Sequence, residues 1–341
     1  MTIAVLIERL QKRYGSVEAI KDVSFQVEAG EFFGILGPNG AGKTTTLRCL
    51  CTLSRADGGR LEVEGISVKD YPRSVRQRLG YVAQEVALDK VLTGRELLEL
   101  QADLYHLPRS TIKNRLDGVI ELLSLGEWAN QLSGTYSGGI RKRFDLAAGL
   151  LHQPKILVLD EPTVGLDIES RSVIWQFLRS LREQGITILM TSHYLEEVDA
   201  LADRVAIIDQ GRVIALGTPS ELKDRVGGDR ITLRIREFAA LTEAEQAKDY
   251  LQHLPGVEEV IINSAQGNSL NLVVTPQSNA LALVQNALQE KGFPLFSIAQ
   301  SRPSLDDVYL AATGRTLLDA ELSGAGNRDL KAEKKQAMRG A

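Results

Sequence analysis

The sequence has little of what marks secreted, membrane-spanning or nucleic-acid-binding proteins. Its 341 residues include two cysteines, Cys49 and Cys51, in a segment with a helical pattern. Residues two apart on a helix diverge, so neither a disulfide framework nor a metal site is indicated. No apolar run approaches the roughly 18 residues of a membrane-spanning helix, and the apolar stretch at the start is too short for a secretory signal. The net charge of −4 favours no nucleic-acid partner. These absences predict a cytosolic protein that reaches a membrane only through another protein.

What the sequence does contain is the alternation of strand and helix patterns typical of an α/β protein. Residues 1–70 are rich in strand patterns, and residues from about 90 to 135 have a helical pattern. The apolar runs KILVLD (155–160) and ITILMTS (186–192) then predict strands that are buried on both faces of a parallel sheet. A chain of this length has room for about two domains.

A second domain is predicted after the hinge-like pair Gly227-Gly228. The segments that follow have the order β-α-β-β-α-β, which is the order of a ferredoxin-like fold. A last helix begins at Ser304, and the polar residues at the end of the chain predict a disordered tail. The predicted division is a first domain over 1–226 with a helical subdomain over about 85–150, an accessory domain over 229–314 and a tail over 315–341.

The strongest motif is GPNGAGKT, which fits the phosphate-binding pattern G-x-x-x-x-G-K-[ST] between a strand and a helix. Glycines let the backbone wrap a polyphosphate and point its N–H groups inward, and the helix N-terminus adds positive potential. Lys43 would neutralise the β- and γ-phosphates, and Thr44 would offer its hydroxyl to Mg²⁺. A chain of this length shows the pattern by chance roughly 1% of the time. The predicted nucleotide-binding residues here are Gly37, Pro38, Asn39, Gly40, Ala41, Gly42, Lys43, Thr44 and Thr45.

The second motif is ILVLDEP, in which a buried strand ends at Asp160 and is followed by Glu161. The carboxyl end of a strand is where α/β sheets bind ligands. Asp160 could hold Mg²⁺ through water, and Glu161 could polarise a water molecule toward the γ-phosphate. Taken alone, the two carboxylates would be an ordinary solvated loop, and the phosphate-binding loop is what favours the functional interpretation.

The third motif is YSGGIRKRFDLA. Ser137 is a good N-cap, and Gly138 and Gly139 leave the first amides of a helix uncovered, which is the arrangement of an anion site. Without the other motifs, a capped helix start would explain it. Because one nucleotide already has its phosphates in the loop of Lys43, a second phosphate site suggests that two chains face each other.

Residues 1–226 resemble the ATP-binding subunit of an ATP-binding cassette (ABC) transporter. The resemblance implies a P-loop NTPase fold, with a mixed, largely parallel sheet, an antiparallel β-subdomain and a helical subdomain. The landmarks, in family order, are Tyr14 as the adenine-stacking aromatic, Gly37–Thr44 as Walker A, Gln84 as the Q-loop glutamine, Tyr136–Ile140 as the signature segment, Ile156–Asp160 as Walker B, Glu161 as the catalytic carboxylate, Gly165–Asp167 as the D-loop and His193 as the switch histidine.

A narrower resemblance comes from two departures from the commonest signature segment. Tyr136 stands where Leu is usual and Ile140 where Gln is usual, so one side-chain contact to an opposing nucleotide is in doubt while the backbone amides are kept. Both features, and the C-terminal segment PSLDDVYLAATG, are similar to ATPases of the daunorubicin-resistance, drug-export type.

The resemblance implies that two identical chains sandwich two ATP molecules and drive a separate membrane permease for drug-like or lipid substrates. The chain would then lie at the cytoplasmic face of the membrane. The implied roles are catalysis by Glu161, His193 and Gln84, Mg²⁺ binding by Thr44, Gln84 and Asp160, and contact with the opposing chain's nucleotide by Ser137, Gly138, Gly139 and Asp167. The alternative is a soluble ABC ATPase acting on nucleic acid or ribosomes. The C-terminal domain could be a ligand-sensing regulator or a module that stabilises a dimer.

Overall fold

The computed structural model describes residues 2–86, 88–275 and 279–322. The chain divides into two compact units, one of Met1–Gly37 with Ala41–Val213 and one of Pro38–Gly40 with the chain from Ile214 onward. Within the described ranges, no helix combines the length and apolarity needed to cross a membrane.

The first unit is built on a mixed sheet. The strands of this sheet are β1 (Ile3–Tyr14), β2 (Val17–Glu28), β3 (Phe32–Leu36), β4 (Gly58–Val63), β5 (Ile66–Ser67), β6 (Leu79–Val82), β7 (Ile156–Asp160), β8 (Thr187–Ser192), β9 (Arg204–Asp209) and β10 (Arg212–Gly217). Only Arg212 and Val213 of β10 belong to the first unit. The strand order is β5-β4-β1-β2-β10-β9-β3-β8-β7-β6. Strands β9, β3, β8, β7 and β6 are parallel neighbours, whereas β1 pairs antiparallel with β2 and β4. The mixed sheet with an antiparallel part agrees with the predicted cassette fold.

Every residue of β3, β7 and β8 is buried, so these strands form the centre of the parallel part. This burial accounts for their nearly continuous apolar sequence. The helices of the unit are α1 (Lys43–Leu50), α2 (Pro72–Arg76), α3 (Gly94–Leu104), α4 (Arg109–Leu122), α5 (Gly138–Leu150), α6 (Ile168–Glu183) and α7 (Leu195–Leu201).

Helices α3, α4 and α5 form the helical region that the sequence predicts. Helix α3 begins with a capping box, in which the Thr93 side chain accepts from Glu96 N and the Glu96 carboxylate accepts from Thr93 N. Leu98, Leu116 and Phe144, one from each helix, are each 1% exposed and share a core cluster with residues of β7 and β8. Because this core joins the helices to the sheet, the region is not an independent domain.

The second unit contains a four-stranded antiparallel sheet. Its elements are α8 (Pro219–Val226), β11 (Asp229–Arg234), α9 (Leu241–Leu251), β12 (Val257–Asn263), β13 (Ser269–Val274), α10 (Ala280–Glu290), β14 (Ser297–Ser301) and α11 (Leu305–Thr313). The strand order is β12-β13-β11-β14. From β11 to β14 the elements follow the predicted order β-α-β-β-α-β. Leu233, Leu251, Leu272 and Leu288 are fully buried in its core.

Helix α8 lies in this second unit, whereas the sequence analysis placed it at the end of the first. It packs against α11, and Arg230 donates from Nη2 to Val226 O over 3.0 Å. Arg230 also approaches Asp307 on α11, with Nε 3.5 Å from Oδ1. Along the chain, the two compact units meet at Ile214, whereas the predicted boundary lies near Gly227. The amphipathic pattern of α8 alone does not say which core the helix covers.

The first residues of the predicted tail are ordered, so that part of the prediction is wrong. Residues 317–322 are helical, and Leu317 and Asp319 are 4% and 3% exposed. Asp319 Oδ2 accepts from Thr316 N over 3.0 Å and from Asn263 Nδ2 over 2.8 Å. Thr316 and Asp319 form a helix cap that is bonded to Asn263 of β12. The polar composition of the segment gave no sign of this cap. Residues 323–341 of the predicted tail lie outside the described residues.

Candidate nucleotide-binding and catalytic site

The predicted phosphate-binding loop joins β3 to α1 and needs glycine at both ends. Gly37 and Gly42 have φ values of 155° and 112°. A Cβ on Gly37 would lie 2.1 Å from Ile208 O, and a Cβ on Gly42 would lie 2.9 Å from Ala19 O. No side chain among the described residues caps α1 at Gly42. The first amides of α1 are therefore available for an anion.

Lys43, at the first position of α1, is buried, and its ammonium contacts oxygens of the loop and of Glu161. Its Nζ donates to Gly37 O over 2.6 Å and lies 3.2 Å from Glu161 Oε1. Both charged side chains are 4% exposed. The lysine thus links the glycine at the start of the loop to the carboxylate that follows β7.

Thr44 and Asp160 lie beside this ion pair. Thr44 Oγ1 donates to Asp160 Oδ1 over 3.0 Å, and Thr191 Oγ1 donates to the same oxygen over 2.7 Å. Thr45, the last predicted loop residue, is in the first turn of α1. A hydroxyl and a carboxylate side by side are hard oxygen ligands of the kind that Mg²⁺ binds.

Glu161 is the point on which the other predicted catalytic residues converge. Gln84 donates from Nε2 to Glu161 Oε2 over 3.1 Å. His193 Nδ1 lies 3.3 Å from the same oxygen. The backbone of Glu161 has φ +47° and its N–H donates to Thr191 Oγ1 over 3.0 Å. A left-handed backbone at a non-glycine residue is costly, and such residues cluster at functional sites.

The neighbours of Glu161 set its charge. Burial acts to raise its pKa, but the interactions with His193 and Lys43 outweigh burial and hold the pKa below its ordinary value of 4.5. The group is therefore an anion at neutral pH and can accept a proton.

This lowered pKa makes a prediction about stability. A carboxyl with a lower pKa in the folded than in the unfolded chain stabilises the fold above its unfolded pKa, and that contribution is lost as the pH falls through the folded value. The test is urea unfolding of the wild type and of Glu161→Gln between about pH 3 and about pH 7. The free energy of unfolding of the wild type minus that of Glu161→Gln should be constant above pH 4.5, the ordinary pKa of the group. Below that pH the difference should fall, because the wild type loses stability that the variant never had. A difference that does not vary with pH would contradict the prediction.

The residues predicted to face a second chain form a separate cluster. Ser137 caps α5, where its Oγ accepts from Ile140 N over 3.3 Å. Asp167 caps α6 and accepts from Ser170 N over 2.8 Å. A Cβ on Gly139 would lie 2.5 Å from Ser170 Oγ, so the two helix starts approach each other closely. Ser137, Gly138 and Asp167 are exposed, so they are accessible to another molecule.

The two unusual residues of the signature segment are buried. Tyr136 is 3% exposed, its ring stacks on Phe144 with centroids 5.0 Å apart, and its hydroxyl lies 2.7 Å from Trp128 O and 2.8 Å from Gln131 O. Ile140 is 6% exposed and belongs to the same core cluster. Both side chains therefore anchor the segment instead of facing outward.

Tyr14, the predicted adenine-stacking residue, lies at the end of β1 and is 47% exposed. Its hydroxyl is 3.2 Å from Ser54 Oγ. Lys12 Nζ lies 5.2 Å from the ring centroid and 3.2 Å from Asp57 Oδ1. The ring is thus held in place while much of it stays accessible.

The sequence analysis missed two residues that hold the site together. Thr191 bonds both Asp160 and Glu161, as described above. Lys142 on α5 donates from Nζ to Ala83 O over 2.6 Å, one residue before Gln84, and lies 3.3 Å from Asp145. Burial lowers the pKa of Lys142, and Asp145 partly offsets that effect. Lys142 is the middle of the basic run Arg141-Lys142-Arg143, and nothing in that run indicated that this residue is buried and makes the link.

Two family models match the chain. The model described as ABC transporter matches residues 20–164. The model described as the C-terminal domain of DrrA1-3-like ATP-binding proteins matches residues 217–313. Together they cover most of both units.

Curated relatives match over nearly the full length. The daunorubicin resistance ATP-binding protein DrrA2 of Streptomyces coeruleorubidus is 42% identical over 330 residues, which are 94% of this chain and 98% of that protein. The linearmycin resistance ATP-binding protein LnrL of Bacillus subtilis is 36% identical, covering 92% of this chain and 99% of that protein. The Nod factor export ATP-binding protein I of Ralstonia nicotianae is also 36% identical, with 92% and 94% covered.

Solved structures match the cassette part. The chain cbiO1 from Clostridium perfringens, part of the ABC transporter complex cbiONQ, has a TM-score of 0.61 and 27% identity, covering 66% of this chain and 94% of that chain. The dimeric post-hydrolysis structure of the cassette MJ0796 bound to ADP and Pi has a TM-score of 0.57 and 26% identity, with 63% and 98% covered.

The fold and the site define an ATP-binding cassette, which is the ATPase component of ABC transporters. The full-length relatives narrow this class. The chain belongs to the ABC transporter ATP-binding proteins of the daunorubicin-resistance (DrrA) type, the ATP-binding subunits of exporters.

Proposed function

We propose that this chain hydrolyses ATP with Glu161 as the general base, and that Gln84 and His193 position the attacked phosphate and the water. The convergence of Lys43, Gln84 and His193 on the Glu161 carboxylate is the observation that supports this best. A buried carboxylate with a lowered pKa is ready to take the proton of a water molecule beside it.

The nucleotide would be held by the loop Gly37–Thr45. Backbone amides and the α1 N-terminus would surround the phosphates, and Lys43 would neutralise them. Tyr14 would stack on the adenine, because its half-exposed ring is fixed by Ser54 and Lys12.

We assign Mg²⁺ to Thr44, Asp160 and Gln84. The 3.0 Å contact between Thr44 Oγ1 and Asp160 Oδ1 gives two oxygen ligands of the right chemistry. When bound, the ion would neutralise charge on the phosphate oxygens. The described residues contain no group of three His, Cys, Asp or Glu that could hold a metal ion, so the nucleotide itself would supply further ligands.

Two copies of the chain would clamp two ATP molecules. Each nucleotide would lie between the Lys43 loop of one copy and Ser137, Gly138 and Gly139 of the other, with Asp167 beside them. The exposure of Ser137 and Gly138 supports this, and the similar cassette MJ0796 has been solved as a dimer.

The dimer would act on a separate permease at the cytoplasmic face of the membrane. Relatives that confer daunorubicin or linearmycin resistance or export Nod factors favour a drug-like or lipid substrate. No relative among these is named for nucleic acid or ribosomes, so the alternative of a soluble ATPase has no support from them. For the second unit we infer a ferredoxin-like arrangement, which the strand order β12-β13-β11-β14 supports.

Charge at Ser137 tests the clamp. Asp is as good an N-cap as Ser, so Ser137→Asp should keep α5 intact while placing an anion where the second copy's phosphate would bind. We expect loss of ATP-dependent dimerisation, measured by light scattering, and a fall in ATPase rate of at least about tenfold.

Ser137→Asn is the matched neutral control, since Asn also caps helices. It should retain most of the dimerisation. Equal activity of the Asp and Asn variants would contradict the clamp, as would a Ser137→Asp variant that still dimerises with ATP.

A further inference from the structure

Glu197 on α7 is a fully buried carboxyl group outside the predicted motifs. It is 0% exposed. Three neutral groups donate to it: Thr163 Oγ1 to Oε1 over 2.8 Å, Trp175 Nε1 to Oε1 over 2.9 Å, and Ser192 Oγ to Oε2 over 2.7 Å. Burying a carboxyl is unfavourable unless its oxygens are hydrogen-bonded, so this arrangement must hold its partners firmly.

The three donors come from three different segments. Thr163 lies two residues after Glu161 and four before Asp167. Ser192 ends β8 and directly precedes His193. Trp175 is in the middle of α6, the helix that Asp167 caps. One carboxyl group therefore fixes the loop that follows β7 to the loop that follows β8.

The contact with Ser192 bears most directly on His193. The Ser192 hydroxyl donates to Glu197 and accepts from Tyr194 N over 2.9 Å. The same hydroxyl thus fixes the backbone on both sides of His193. Because Nδ1 of His193 lies 3.3 Å from Glu161, a shift of this loop would change that separation directly.

We propose that Glu197 is a positioning residue for hydrolysis: through Ser192 it sets His193 against Glu161, and through Thr163 it sets the loop that carries Asp167. The proposal rests on the function proposed above. The described hydrogen bonds of Glu197 go to Thr163, Trp175 and Ser192 and not to the phosphate-binding loop. ATP affinity should therefore depend little on Glu197.

Three single substitutions test it in the full chain, each deleting one donor to the same carboxyl group. Thr163→Val and Ser192→Ala should lower kcat about tenfold while KM for ATP changes less than about threefold, since small displacements of catalytic groups slow chemistry strongly. Trp175→Phe removes the donor on the helix scaffold and touches neither loop. It should lower the thermal midpoint as the others do, but leave kcat within about twofold of the wild type.

A purely structural role would give a different pattern. If kcat fell equally in all three variants, or in none, the positioning role would be overturned. Glu197→Gln adds a rescue test, because Gln keeps an acceptor for Thr163 and Trp175 and its amide can donate to Ser192; it should retain most of the turnover that Glu197→Ala loses. Glu161→Gln, measured alongside, separates the two proposals. If this variant hydrolyses ATP at the wild-type rate, the proposed catalytic function fails. If it loses hydrolysis while Thr163→Val and Ser192→Ala keep the wild-type rate, only the role of Glu197 is refuted.

Discussion

Replacing Glu161 by Gln is expected to lower ATP turnover about 10²- to 10⁴-fold, the usual contribution of a general base. Gln has nearly the same shape and keeps one acceptor oxygen, which can face Lys43, but it cannot take a proton from water. ATP binding should survive, and a dimer with ATP trapped between the two copies should accumulate. Steady-state phosphate release with Mg²⁺ and ATP measures the first effect, and light scattering measures the second.

Glu196→Gln is the matched control. Glu196 precedes Glu197 on α7, is exposed, and loses the same charge on substitution. Its turnover should stay within about twofold of the wild type, as for other surface changes away from a site. If Glu161→Gln behaved like this control, Glu161 would not be the base.

The second large effect is expected at Lys43. Lys43→Met should weaken ATP binding by about 2–5 kcal/mol, or roughly 30-fold to several-thousand-fold, because a buried charged hydrogen-bond donor to the phosphates is lost. The same change should destabilise the free protein, by about 3–5 kcal/mol at most, because it leaves the Glu161 carboxylate buried without its cation.

A double variant separates these two consequences. Lys43→Met with Glu161→Gln removes both charges, so it should regain much of the lost stability without regaining ATP affinity. Nucleotide titration and urea unfolding of the same four proteins give both quantities. ATP affinity unchanged in Lys43→Met would contradict the assignment of the phosphate-binding loop.

Much of the site could be predicted because its motifs are local in sequence. The Gly37–Thr44 pattern is eight residues between a strand and a helix, and Asp160 follows from a short apolar run. The structure places Thr44 beside Asp160 and brings Gln84 and His193 to Glu161.

The residues that the sequence did not predict bond to partners far along the chain. Thr191 meets Asp160 only because β7 and β8 pair in a register that aligns these two positions. Lys142 reaches Ala83, 59 residues earlier. Such pairings depend on tertiary packing, which no local spacing reveals. The same limit applies to α8 and to the residues around Asp319, because the local pattern of each fits more than one partner.

If Glu161 is the base, its contact with Lys43 would tie the recognition of ATP to the activation of that base. The ammonium that would meet the γ-phosphate already holds the carboxylate, so an arriving triphosphate competes with Glu161 for one cation. The affinity for ATP then reflects the contact of Lys43 with the phosphate minus the contact with Glu161 that is given up. Because a glutamine at this position would hold Lys43 less strongly, Glu161→Gln should bind ATP more tightly than the wild type. The entry of ATP would release the Glu161 carboxylate from Lys43. Without ATP, the ion pair would keep the carboxylate from acting as a base.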